Sequence, residues 1–114
     1  MIEVIREALD NLLESLGSKN TVELVMFALP HIAERKETLK QLLQAGDWEA
    51  AARVAHKTLS SVRLYGSKQL EVLLQQVRQQ AVEVISTPEF QARLDAAFST
   101  VISGLDAWLA SEVT

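Results

Sequence analysis

The stretch GDWEAAARVAHKTLSSVRLYGSKQL, residues 46–70, decides the fold. It opens with a glycine that can end one helix and an aspartate that can cap the next. From Trp48 no glycine or proline interrupts it before Gly66. Ala51, Ala55, Val62 and Tyr65 recur at steps of three and four with Thr58 between them, the repeat of one helix face. A helix over 48–65 is expected, with Gly66 as the structural turn and Ser67 capping a return helix over 67–86. Leu70, Leu73, Leu74, Val77 and Val84 form the apolar side of that second helix.

Working outward, the same periodicity continues in both directions. A helix over 21–45, capped by Asn20 or Thr21, carries Leu24, Phe27, Ile32, Leu39 and Leu42 and stops at Gly46. Pro30 inside it should kink it or remove one hydrogen bond. A helix over 2–16 carries Ile2, Ile5, Leu9, Leu12, Leu13 and Leu16 and stops at Gly17. Thr87-Pro88-Glu89, a cap followed by proline at the first helical position, opens a helix over 88–111 that buries Phe90, Leu94, Val101, Leu105 and Trp108. Strand-like alternation is sustained nowhere. The expected class is all-α: one domain over 1–114, an antiparallel four-helix bundle with an additional N-terminal helix. Trp48 and Trp108, at a helix start and near a helix end, read as packing anchors.

Composition narrows the function. At 114 residues and 48% hydrophobic, the chain can bury a core without a metal or disulfide staple. The absence of cysteine removes thiol catalysis and cysteine-based zinc sites, and fits a reducing, cytoplasmic setting. A net charge of −4 argues against nucleic acid as a partner. No apolar run approaches a membrane span, and MIEVIREALD alternates acid and apolar residues unlike a signal peptide. Phosphate-loop, dinucleotide, zinc-protease and serine-hydrolase motifs are absent. His31 and His56, the two histidines, lie too far apart in sequence for a local metal pair, so no metal site is expected. His31, beside Pro30, reads as a partly exposed structural residue.

His56 falls off the apolar stripe of its helix, on the face shared by Ala52, Arg53, Leu59, Ser60 and Arg63, and should project to solvent. Residues 50–80 hold Arg53, Lys57, Arg63, Lys68 and Arg78 against a single acid, Glu71, a basic hairpin in an acidic chain. If the helices turn at Gly66–Ser67, positions equidistant from the turn face each other. Arg78 then stands opposite His56, and Glu71 opposite Arg63. An imidazole flanked by Arg53 and Arg78 suits a phosphoryl group, whose added charge the cations stabilise.

The order of elements, the GDWEAAARVAH entry, and the residues Ala55-His56-Lys57, Ser61, Leu64, Gly66, Leu70, Leu73 and Val77 resemble a histidine-containing phosphotransfer (HPt) domain over nearly the whole chain. The resemblance implies a phosphorelay carrier in two-component signal transduction, a cytoplasmic phosphoprotein. It would take a phosphoryl group on His56 from a phospho-aspartate of a response-regulator receiver domain and pass it to another receiver. The chain would be no enzyme: it has no room for an ATP-binding catalytic domain, and could stand alone or end a hybrid sensor histidine kinase. No cofactor is expected in it, and the divalent metal would belong to the receiver. A monomer is expected.

Two positions depart from the family pattern. A lysine three residues after the histidine and a glycine at four are replaced by Leu59 and Ser60. The usual glutamine of the following helix is replaced by Arg78. Lys57 points about 100° away and is a poor substitute for the lysine. A relocated charge is therefore expected, with Arg78, and Arg53 or Arg63, stabilising the phosphoryl group. Ala52, Leu59 and Ser60 are expected at the docking surface. The first helix should pack across the bundle top, using Ile5, Leu9, Leu12 and Leu16, and offer Ile2 and Leu13 to the partner beside His56. The alternative is a degenerate HPt-like or helical adaptor domain that binds a partner without phosphotransfer.

Overall fold

The computed structural model describes residues 2–65 and 67–113, and the side chains of all of these except 2–6 and 113. Six helices follow in order: α1 (Ile2–Leu16), α2 (Ser18–Ala45), α3 (Trp48–Leu64), α4 (Lys68–Arg78), α5 (Val82–Ile85) and α6 (Pro88–Val113). No strand occurs among the described residues. The class is all-α, as the periodicity implies. Four helices close a ring of neighbours, α2 against α3, α3 against α4, α4 against α6 and α6 against α2. The result is a rod of 43 × 21 × 20 Å.

Local chemistry sets most of the ends. The Asp47 carboxylate accepts from the Ala50 amide at 3.2 Å and starts α3. Ser67 Oγ accepts from the Leu70 amide at 3.4 Å and starts α4. Thr87 Oγ1 accepts from the Phe90 amide at 3.2 Å, with Pro88 at the first helical position of α6. Gly46, at φ 75°, closes α2 in the left-handed conformation, its amide directed to the Leu42 and Leu43 carbonyls. The Gly66 turn lies outside the described residues.

Two expected boundaries need correction. The second helix begins at Ser18, not at residue 21, and its N-cap is Gly17 at φ 83° rather than Asn20 or Thr21. A left-handed glycine joins α1 to α2 with no intervening loop. Asn20 therefore reaches back to the Leu16 carbonyl, and Thr21 Oγ1 donates to the Gly17 carbonyl. The helix expected over 67–86 is instead broken after Arg78. Gln80 stands at φ 54°, its amide donates to the Val77 carbonyl, and the Ala81 amide donates to the Gln76 carbonyl, a Schellman closure. A second short helix, α5, follows. α2 runs on through Pro30, which is exposed together with Met26. The Met26 carbonyl that loses its amide partner therefore lies on the water side of the helix.

The core comprises Leu9 of α1, Val25, Ile32, Leu39 and Leu43 of α2, and the inward residues of α3, α4 and α6, including Trp108. α1 packs against α2 and α6, the pair across the bundle from the α3–α4 seam. Its expected place beside His56 is thereby corrected. Leu13 is half-buried against the core instead of left over for a partner, and Leu16 is 44% exposed instead of packed in the bundle. Among the described side chains of α1, Leu9 is in the core and Leu12 and Leu13 pack against it. The Ile2 and Ile5 side chains lie outside the described residues.

Candidate functional site

α3 is the helix sandwiched between α2 and α4, and its buried arc is correspondingly wide. At about 100° per residue, Thr58, Ala51, Val62, Ala55, Leu59 and Ala52 sweep about 120° of its circumference, all buried. His56 is exposed and follows next around the helix, about 40° beyond Ala52 on the side facing α4. The expected exposure of Leu59 is a mistake of face assignment. Leu59 is 2% exposed because α4 covers that edge of α3. It belongs to the core and cannot present itself to a partner. Ala52, at 8% exposed, is buried too, and reaches the surface only as the floor beside His56. Ser60, one turn along, is exposed.

Around His56 lies an open depression of about 460 Å³ lined by Glu49, Ala52, Arg53, His56, Lys57 and Gln80. Arg53 is tied within it to Glu49, Nη1 to Oε1 at 3.2 Å, with both side chains largely in water. Lys57 lines the same depression, although its helical position turns it from His56. Gln80 closes the α4 side. The three-way meeting of α3, the end of α4 and the α4–α5 break thus brings His56, Arg53 and Ala52 together with Lys57, Glu49 and Gln80.

The remaining expected cations lie elsewhere. Arg63 Nε donates to Glu71 Oε1 at 3.1 Å across the α3–α4 seam, the pairing the hairpin geometry implies. Lys68 joins the same carboxylate at 3.7 Å. Arg63 is thereby held toward Glu71 about two turns along α3 from His56 and is not among the residues lining the depression there. Arg78 is exposed in the last turn of α4 and is not among the residues lining the depression, where Gln80 stands on that side. Gln80 was not legible as a site residue, because the helical repeat carries straight through it. Lys57 was legible in position but not in reach.

A second groove, of about 290 Å³, lies along the α2–α3 seam with Phe27, His31, Leu64 and Tyr65 among its walls. Phe27 is 69% exposed, and its ring meets that of His31 with centroids 4.8 Å apart. Arg35 Nη1 donates to Thr58 Oγ1 at 3.3 Å at its base, and Thr58 Oγ1 donates in turn to the Val54 carbonyl. Tyr65 is almost wholly buried, and burial pushes its phenol above the usual pKa. Among the described residues no cluster of three His, Asp or Glu is placed to hold a metal ion. No described helix is long and apolar enough to cross a membrane.

Against known families, the family model of the Hpt domain matches residues 23–104, which runs from the first turns of α2 through most of α6. No curated protein and no solved structure matches the chain significantly.

Proposed function

This chain belongs to the Hpt domain family, phosphotransfer carriers of two-component signalling rather than catalysts, and on that premise we propose that His56 is the residue that carries the phosphoryl group. The observation that supports the assignment is its placement. His56 is the exposed imidazole of α3, inside the matched span, in a depression that also holds Arg53 and Lys57. His31 meets the Phe27 ring at a tilt on another seam.

The donor in this reading is the phospho-aspartate of a receiver domain. The unprotonated ring nitrogen of His56 attacks phosphorus. An N–P bond forms as the acyl O–P bond breaks, and the electron pair of that bond leaves on the aspartate carboxylate. The proton on the other ring nitrogen stays in place, so the step needs no base from this chain. The reverse sequence delivers the group to a second receiver. The divalent metal that phosphoryl transfer uses sits on the receiver, and this chain supplies an accessible nucleophile and a positive margin. Ala52 and Ser60 are small, which lets a flat partner surface approach the ring, and Arg78 adds a long-range charge at the end of α4. We place the carrier in the cytoplasm, acting as a monomer, as a separate protein or as a module of a hybrid kinase.

A second reading has one observation in its favour. Where the family pattern sets a lysine, Leu59 is in the core, which fits a degenerate member that docks without transfer. Incubation with a panel of phosphorylated receivers separates the two. Acid-labile phosphate should appear on the wild-type chain and be absent from His56→Gln. Binding without labelling of the wild type would establish the adaptor instead.

A further inference from the structure

Gln80 is the one non-glycine residue with a positive φ among the described residues, at 54°. It occupies the position of a Schellman closure at which glycine is the ordinary choice, with its amide 3.0 Å from the Val77 carbonyl and the Ala81 amide 3.2 Å from the Gln76 carbonyl. A residue with a Cβ is disfavoured in that conformation. The backbone there would be satisfied equally well by glycine, so the fold does not explain the side chain. Gln80 lines the depression that contains His56. Strain held at a site is a pointer to use.

Resting on the carrier reading above, we propose that the Gln80 side-chain amide donates a hydrogen bond to the phosphoryl group on His56, and that the strained helix break is kept to aim it there. An amide suits a reversible carrier. Its NH2 can donate to a phosphoryl oxygen in the loaded state, and its oxygen can accept the imidazole N–H in the empty state. Being neutral, it favours neither state by charge alone. The nearby Arg53 is already engaged with Glu49, which leaves room for such a donor.

The test loads His56 chemically with phosphoramidate, which needs no receiver, and follows loss of phosphate by 31P NMR alongside thermal unfolding. Three variants are compared with wild type. Gln80→Gly relieves the left-handed strain and removes the amide, so it should melt higher yet lose phosphate about three- to tenfold faster, the effect of one partly exposed charge-assisted hydrogen bond. Gln80→Ala should lose phosphate as fast without the gain in melting temperature. Gln80→Asn, tolerated in this conformation and still an amide, should fall between. Equal phosphate lifetimes in all four proteins overturn the role of Gln80 and leave the carrier reading intact. A wild-type chain that takes no phosphate on His56 overturns both.

Discussion

Replacing Leu59 with lysine restores the residue found three positions after the histidine in the family pattern, and the structure makes it a damaging change. Leu59 is 2% exposed, among the core residues at the α3–α4 seam. Removing a buried leucine side chain typically costs about 2–5 kcal/mol. The lysine stem recovers part of that contact, and the ammonium can snorkel outward, because Leu59 lies only about 60° around the helix from exposed His56. The net loss should be about 2–3 kcal/mol. At roughly 2.1 cal/mol/K of unfolding entropy per residue, a chain of 114 residues would melt about 10 °C lower. Urea unfolding followed by far-UV circular dichroism measures this directly, as a lower midpoint at unchanged slope. An unchanged midpoint, combined with a longer-lived phosphoryl group on His56, would refute the reasoning and put position 59 on the surface.

Arg78→Ala should slow transfer from a phospho-receiver and flatten the salt dependence of the rate, because an exposed charge at the end of α4 acts chiefly by steering. Its effect on folding, through loss of a cation in the last helical turn, should stay at about 0.3–1 kcal/mol, and equal rates at low and high salt in the wild type would discount it. Tyr65, the sole tyrosine, has its phenol pushed above the ordinary 10.0 by burial, so the folded chain holds that proton more tightly than the unfolded one. The Tyr65 contribution to stability should be steady below pH 10 and decline above it at up to about 1.4 kcal/mol per pH unit as the unfolded phenol ionises. Tyr65→Phe should remove that decline, and an alkaline loss equal to that of wild type would assign it to other groups.

The helical class was legible because apolar spacing, caps and stops agreed at the same places. Asp47, Ser67 and Thr87 each accept the amide their position implies. The break at Gln80 was not legible. Val77, Ala81 and Val84 keep the apolar repeat running, and no glycine or proline marks the left-handed residue. Leu59 was misplaced for a different reason. The sequence of α3 shows a single apolar stripe, whereas a helix covered by neighbours on two sides buries a wider arc, and the width depends on where α4 lies. That is tertiary information. His56 was accessible to the same argument because it falls outside both the stripe and the wider arc. Its surroundings were only half readable: Arg53 is on the same helix, but Gln80 arrives through a backbone turn that spacing does not encode.

The ring of helices has a consequence for synthesis on the ribosome. α2, α3 and α4 pair with their immediate successors, and α6 alone must come back across the chain to α2. Until it does, Leu43 lacks the cover that Leu94 and Phe98 give it where they share one wall of the α2–α6 seam. Translation at roughly 5–20 residues per second takes about one to five seconds to make the 26 residues of α6. For that interval the helices already made present an open apolar trough, a natural foothold for a holding chaperone and the window in which a destabilised variant would aggregate.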